Sequence, residues 1–339
     1  MSLRNTHDTD APSIALVGCG AVAELFYLPA FVRRSSLASR LILVDVNLGR
    51  AKAMASKFRI NSYVEDYRDI LLDVDGAIIA LPHQLHYEVA MDFLRSGVHV
   101  LCEKPLTETA EQARLMVQEA ERNSISLCVN NTRRLFPSSK KIKELLEDET
   151  IGEPLDFRLE EGGEYNWPTV SGFYFKSGES NYGVLMDRGP HVIDLLCWWL
   201  DSKPSITCYM DDSFGGREAV AALDFRIKGS VNGSIKLSWL SRLKNKCVIR
   251  GEDGVLICGV YDWRQVTLYK NDRLFKIHPP SPQRYFSDFA LEIIDNFSGV
   301  IQKREDPLVT GKDVVNSIAV IEACYKNRKT FPLPWIKAR

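Results

Sequence analysis

Apolar positions are spaced differently in the two halves of the chain. Up to about residue 105 they gather into short unbroken runs: Ile14-Ala-Leu-Val17, Leu41-Ile-Leu-Val44, Ser62-Tyr-Val64, Gly76-Ala-Ile-Ile-Ala-Leu81 and Val98-His-Val-Leu-Cys102. Runs of this length without alternation suit strands buried on both faces of a parallel sheet. Segments with helical spacing separate them. One starts near Ala21, where Pro29 is expected to end or kink it early. Leu48 to Phe58 follows with Ala51, Met54, Ala55 and Phe58 in register, then a short helix around Tyr67 to Leu72, then Leu85 to Ser96. Strands alternating with helices of this length predict a doubly wound parallel sheet, whose ligands lie at the carboxyl ends of its strands.

From Ser205 the texture becomes alternating. Ser205–Met210, Glu218–Ile227, Gly229–Leu240, Lys246–Arg250, Gly254–Cys258, Val266–Tyr269 and Arg273–Ile277 read as strands bounded by Gly, Asn and Asp. Consecutive strands without intervening helices predict a mostly antiparallel sheet. Two helices follow, about Arg284 to Ile301 and Gly311 to Asn327, the second with an apolar stripe through Val314, Val315, Ile318, Ile321 and Ala323. The expected fold class is therefore α/β: an N-terminal doubly wound domain over residues 1–130 and a C-terminal α+β domain over 131–339. A chain of 339 residues also exceeds the roughly 250–300 at which one core stops growing.

Composition narrows the function. Lys and Arg number 43 against 44 Asp and Glu, for a net charge of −1, so the basic excess of a nucleic-acid binder is missing. No run approaches the ~18 apolar residues of a membrane span. The polar start (Asn5, His7, Asp8, Asp10) is no signal peptide, and residues 1–11 read as a tail. A cytoplasmic protein with no nucleic-acid or membrane partner is expected. Eight scattered cysteines form no C-x-x-C pair and read as reduced, structural residues, with no metal site among them.

Candidate chemistry begins at Gly18-Cys19-Gly20-Ala21-Val22-Ala23, directly after the first strand. Gly18 closes a tight turn, Gly20 lets a pyrophosphate approach bare backbone, and Ala23 is the small residue that packs helix on strand. The helix N-terminus, with its free N–H groups and positive dipole, then holds the anion. Asp45 ends the second strand, where a carboxylate bonds the ribose diol of NAD and repels a 2′-phosphate. Arg50 is either a solvated helix charge or a contact to adenosine or phosphate, so NADP stays open. Glu103-Lys104-Pro105 caps a later strand end. Further on, Asp187 and His191 stand four residues apart, with Pro190 at an expected first helical position and Gly189 as its cap. His191 has the ordinary pKa of a proton carrier near neutrality, and a carboxylate beside it would stabilise its imidazolium form.

Gly18-x-Gly20-x-x-Ala23 followed at this distance by Glu103-Lys104-Pro105 resembles the glucose-fructose oxidoreductase, inositol dehydrogenase and rhizopine-catabolism (Gfo/Idh/MocA) family of nicotinamide oxidoreductases. Leu81-Pro82-His83-Gln-Leu-His86 is similar to that family's T-P-N-x-x-H turn, with His83 in place of Asn. Asn131-Thr-Arg-Arg134-Leu-Phe-Pro137 is similar to its N-x-R-R-F-x-P segment, and Asp187-Arg188-Gly-Pro-His191-Val-Ile-Asp194-Leu to its D-x-G-x-H-x-x-D-L block. The resemblance implies a Rossmann N-terminal domain and hydride transfer between nicotinamide C4 and a hydroxyl-bearing carbon of a sugar, inositol or nucleotide-sugar. It implies cofactor contacts from Gly18, Cys19, Gly20, Ala21, Val22, Asp45, Arg50, Leu81, Pro82, His86, Glu103, Lys104 and Arg134. Lys104, Asp187 and His191 are the catalytic set, and the pattern leaves open whether His191 or Lys104 carries the proton. Substrate contacts are expected from Asn131, Tyr165, Trp167 and Arg188, within or near the aromatic stretch Glu161–Tyr182 that also holds Tyr174 and Lys176. A homodimer or homotetramer through the C-terminal sheet is the family's default. The alternatives are a dinucleotide-binding sensor, which would dispense with Lys104, Asp187 or His191, and an enzyme of a non-sugar substrate such as a dihydrodiol.

Overall fold

The computed structural model describes residues 11–168, 172, 182–214, 216–227 and 231–332, in two compact units. Residues 11–130 and 283–312 cluster as the first unit; 131–167, 172, 182–282 and 313–332, where described, form the second.

In the first unit six strands run parallel: β1 (Ile14–Val17), β2 (Leu41–Val44), β3 (Ser62–Val64), β4 (Gly76–Ile79), β5 (His99–Glu103) and β6 (Leu127–Asn130). Their order is β3-β2-β1-β4-β5-β6, with Ile14 flanked by Leu41 and Gly76. β1, β4 and β6 are buried at every position, which accounts for the unbroken apolar sequence of β1 and β4; in β6 the last buried residue is the polar Asn130. The first helix opens at Ala21, widens into a π-turn at Ala23–Tyr27 and continues as α1 (Leu28–Phe31). Leu28 N–H reaches back to Ala23 O. This shift of register carries the helix past Pro29, whose ring would press on the carbonyl four residues back in a regular α-helix. The helix is therefore modified, not ended, at Pro29. α2 (Ser35–Ser39), α3 (Leu48–Phe58), α4 (His86–Arg95) and α5 (Ala110–Arg122) complete the alternation. Asn47 caps α3 by accepting Arg50 N–H at 3.0 Å.

The second unit starts with α6 (Pro137–Glu147) and is built on nine strands: β7 (Pro154–Gly162), β8 (Ser205–Asp211), β9 (Val220–Ile227), β10 (Val231–Ser238), β11 (Lys246–Gly251), β12 (Gly254–Gly259), β13 (Val266–Lys270), β14 (Arg273–Ile277) and β15 (Lys329–Thr330). Their order is β14-β13-β12-β11-β7-β10-β9-β8-β15, antiparallel except where β7 meets β10 and β8 meets β15. Alternation is clean. Phe157, Leu159, Leu223, Phe225, Ile235 and Leu237 enter one core with Val192, Ile193 and Leu196 of α7 (Val184–Trp199), while Arg158, Asp224, Arg226 and Lys236 point to the other face. Residues 283–312, which the sequence places in the second domain, hold α8 (Asp288–Ile301) and belong to the first unit, where Ile301 and Phe297 lie against Gly76 of β4. α9 (Gly311–Lys326) sends Val320, Ile321 and Cys324 into the second core.

Candidate active site

The carboxyl ends of the parallel strands bring the N-terminal candidates together. Gly18 has φ +99°, and a Cβ there would sit 2.4 Å from Ala80 O, so only glycine closes this turn. A Cβ on Gly20 meets nothing within 4 Å, which leaves its backbone open on one side. Ala23 is fully buried. Asp45 bridges strand end and turn: Oδ2 accepts Cys19 N–H and Oδ1 accepts Asn47 N–H, each at 2.9 Å. Arg50 is not a solvated charge. Its Nε donates to Cys19 O at 2.8 Å and its Nη2 to Glu24 Oε2 at 2.6 Å, while Lys57 holds the other Glu24 oxygen at 2.7 Å. The Lys57 and Arg50 bonds hold the Glu24 carboxyl below its usual range. Burial pushes the Cys19 thiol up to about 12, so it stays protonated at ordinary pH.

Two locks bracket Lys104. On one side the buried Glu103 Oε1 accepts Tyr27 OH at 2.7 Å and Asn130 Nδ2 at 2.6 Å, and Asn130 also reaches the Tyr27 hydroxyl at 2.9 Å. Burial raises the Glu103 carboxyl above its ordinary value. On the other side His86 stands between two carbonyls, with Nδ1 2.8 Å from Pro105 O and Nε2 2.9 Å from Leu81 O. It ties Leu81, just beyond β4 and before Pro82, to the segment after β5. Burial holds His86 below the usual imidazole pKa. His83 is buried too, 3.6 Å from Glu108.

In the second unit, the turn Thr132–Leu135 sends two arginines inward. Arg133 makes a two-pronged pair with Glu161 at 2.7 and 2.8 Å, and Tyr261 OH adds a bond to Glu161 at 2.7 Å. Arg134 grips Asp194 with two bonds of 2.7 Å and the Asp313 carbonyl at 3.2 Å. Asn131 is buried beside this turn.

The helix bearing Asp187 and His191 departs from its expected start. α7 begins at Val184, so Pro190 lies inside it and Gly189 is not the cap. The reason lies far along the chain. Glu218 Oε1 accepts Gly183 N–H and Leu185 N–H, both at 3.0 Å, and Glu218 O accepts Val184 N–H at 2.9 Å. Tyr325 OH (2.7 Å) and Arg328 Nη2 (3.1 Å) hold that carboxylate in turn. A buried cap of this kind satisfies the first-turn donors and lets the helix start before its proline. Asp187, His191 and Asp194 then share one stripe at i, i+4 and i+7. Asp187 Oδ2 accepts the Trp239 indole N–H at 3.0 Å, and Trp239 meets Tyr165 edge-on at 5.1 Å. Arg188 is partly buried and donates to Ser238 O (2.9 Å) and Gly163 O (3.2 Å), pinning α7 to the ends of β10 and β7. Trp167 is 44% exposed. Tyr174 and Lys176 lie outside the described residues.

Glu218, Glu161 and Trp239 are the residues that sequence reasoning passed over. Nothing local marks Glu218 as a cap for residues 35 positions earlier. Glu161 could have been suspected as an acid at an inward strand position, and Trp239 as an aromatic at a strand end. Among the described residues no group of His, Cys, Asp and Glu is placed to hold a metal ion, and no helix is long and apolar enough to cross a membrane.

Comparison with known proteins gives the family. Residues 13–131 match the oxidoreductase family model GFO_IDH_MocA, NAD-binding Rossmann fold, and residues 139–257 match the GFO/IDH/MocA C-terminal domain. An oxidoreductase of Formosa agariphila is 23% identical over 283 residues, covering 79% of this chain and 85% of that protein. The 1,5-anhydro-D-fructose reductase of Ensifer adhaerens is 27% identical over 208 residues, covering 60% of this chain and 62% of that protein. The crystal structure of a 3-ketoreductase from Actinomadura kijaniata, in complex with NADP and TDP-benzene, superposes with a TM-score of 0.80 at 22% identity, over 94% of this chain and 99% of that one. The chain belongs to the Gfo/Idh/MocA family of oxidoreductases with an NAD-binding Rossmann fold.

Proposed function

We propose that this chain transfers hydride between nicotinamide C4 and a hydroxyl-bearing carbon of a sugar, inositol or nucleotide-sugar. The observation that carries this reading is the fixing of the residues on either side of Lys104, Glu103 by Tyr27 and Asn130 and Pro105 by His86. A sensor that only binds a dinucleotide has no use for a lysine carried on so rigid a segment.

The residues present fit a dinucleotide. The open side of Gly20 and the N-terminus at Ala21 and Val22 suit its pyrophosphate. Each Asp45 oxygen keeps acceptor capacity for a ribose diol after taking one backbone N–H. Asp45 therefore favours NAD, and Arg50 braces the turn beneath it. Bound nicotinamide supplies the hydride acceptor in oxidation and the donor in reduction. Lys104 donates a hydrogen bond to the reacting oxygen and stabilises its developing charge. His191 takes the hydroxyl proton as the C–H bond is lost, and returns it in reduction. Asp187 orients His191 and stabilises its imidazolium form. Tyr165 and Trp167 offer aromatic faces to a sugar ring.

Self-association through the second sheet, as a homodimer or homotetramer, is the reading that its uncovered face supports, where Val248, Ile257, Tyr269 and Leu274 add apolar surface beside the charged positions. Eight free cysteines fit a reducing cytoplasm. The test is NADH against NADPH binding by fluorescence, then turnover in both directions over myo-inositol, free hexoses and nucleotide-sugars. Lys104→Ala and His191→Ala are expected to bind the dinucleotide while losing at least about a hundredfold in kcat. Binding without turnover on any polyol would turn the reading towards a sensor or a non-sugar substrate.

A further inference from the structure

Trp239 follows β10 and has no part in the roles given so far. We propose that Trp239 is a positioning residue for Asp187, fixing the plane of its carboxylate through the indole N–H; this rests on the role proposed for Asp187 above. The bond to Asp187 Oδ2 is 3.0 Å long. The donor is itself held: Trp239 N–H donates to Ala219 O at 2.8 Å, and its carbonyl accepts Tyr165 N–H at 3.0 Å. Its side chain packs edge-on against Tyr165 at 69° and the residue is 6% exposed. The acceptor is held as well, because Asp187 lies in the first turn of α7, which Glu218 caps.

A fixed donor facing a fixed carboxylate gives an orientation that a flexible hydroxyl or a water does not. The bond also favours the ionised carboxylate over the acid. Other groups around Asp187 bear on the same equilibrium. Arg133, from the turn before α6, interacts with its charge and favours ionisation. Tyr165, after β7, interacts with that charge too and is neutral at ordinary pH, because burial and then Asp187 raise its hydroxyl pKa. His191 stands one turn along α7. Removing the indole N–H therefore shifts an equilibrium that Arg133 continues to support.

Trp239→Phe keeps a ring against Tyr165 and removes the donor. In the full-length protein it is expected to lower kcat about tenfold with the dinucleotide KM unchanged. The acidic limb of the kcat profile should move up by about half to one pH unit. An equal loss of kcat with an unmoved pH profile would reduce Trp239 to packing and overturn the inference. A second measurement needs no substrate and no Trp239 variant. The Trp239 indole N–H resonance in a ¹⁵N–¹H spectrum is expected to be hydrogen-bonded and slow to exchange in the wild type, and to exchange at least about tenfold faster in Asp187→Ala. An indole signal indifferent to Asp187→Ala overturns the proposal even where no turnover is found. Absent turnover with that signature intact counts against the oxidoreductase reading alone.

Discussion

The two sheets of this chain bury their strands in different ways. In the first unit β1 and β4 hide every side chain, with helices between strands throughout. In the second, β9 and β10 show one face to the core and leave Asp224, Arg226, Asn232 and Lys236 exposed on the other. A sheet covered on both faces has little tolerance within its strands, so variation and chemistry move to the loops at its strand ends. A sheet covered on one face takes polar residues along its length, and here its inward side carries buried ion pairs such as Arg133–Glu161. One architecture keeps its charges at the rim; the other admits them to the interior once each is paired.

The sharpest way to break this comparison is a charge within each sheet. Ile78→Asp, at a fully buried position of β4, should cost upwards of about 5 kcal/mol and deny the first unit a folded state. Arg226→Ala, on the exposed side of β9, should stay within about 0.5 kcal/mol. Urea denaturation and soluble yield read both, and similar costs at the two positions would end the distinction.

A smaller effect separates tightness from openness at a single turn. Gly18→Ala combines positive φ with a 2.4 Å clash against Ala80 O and should lower stability by about 3 kcal/mol. Gly20→Ala meets no atom and should leave the melting temperature nearly unchanged while abolishing dinucleotide fluorescence enhancement. Loss of stability in Gly20→Ala would assign that glycine to the fold instead of the ligand.

The smallest effect is a pair of opposite pH dependences. Burial raises Glu103 in the folded state, so as pH rises above the unfolded value of about 4.3 its ionisation progressively removes stability. Burial also pulls Glu161 upward, but Arg133 and Tyr261 outweigh it and leave this carboxyl lowered. Its contribution is complete above about pH 4.3 and is lost as pH falls towards the folded pKa. Urea midpoints should therefore show Glu103→Gln costing less at pH 7 than at about pH 4.5, and Glu161→Gln costing less at about pH 3 than at pH 7. Slopes of the same sign would mean that pairing does not distinguish the two units.

What the sequence revealed follows the same division. The parallel strands before residue 105 were legible because double burial leaves runs such as Ala77-Ile-Ile79 with nothing polar in them, and strands β8 to β14 were legible from alternation. β7 was passed over: its inward row ends in Glu161, a carboxylate that looks like a loop residue until Arg133 is seen beside it. The early turn was readable because its glycines act locally, whereas the start of α7 depends on Glu218, and local proline rules misplaced it by about six residues. Local signals locate what neighbouring residues decide. Caps and ion pairs drawn from distant strands leave no such mark.

The cap on α7 also has a bearing on how the protein is made. Glu218, Tyr325 and Arg328 all leave the ribosome after Val184–Trp199. Glu218 can claim the first-turn donors of that helix before the chain is finished, but the carboxylate is itself held only once α9 and Arg328 have been synthesised and docked. The bracing of this helix start is in this sense a late event in biosynthesis, and a nascent chain stalled within β14 carries α7 and Glu218 without the tyrosine and arginine that fix the cap.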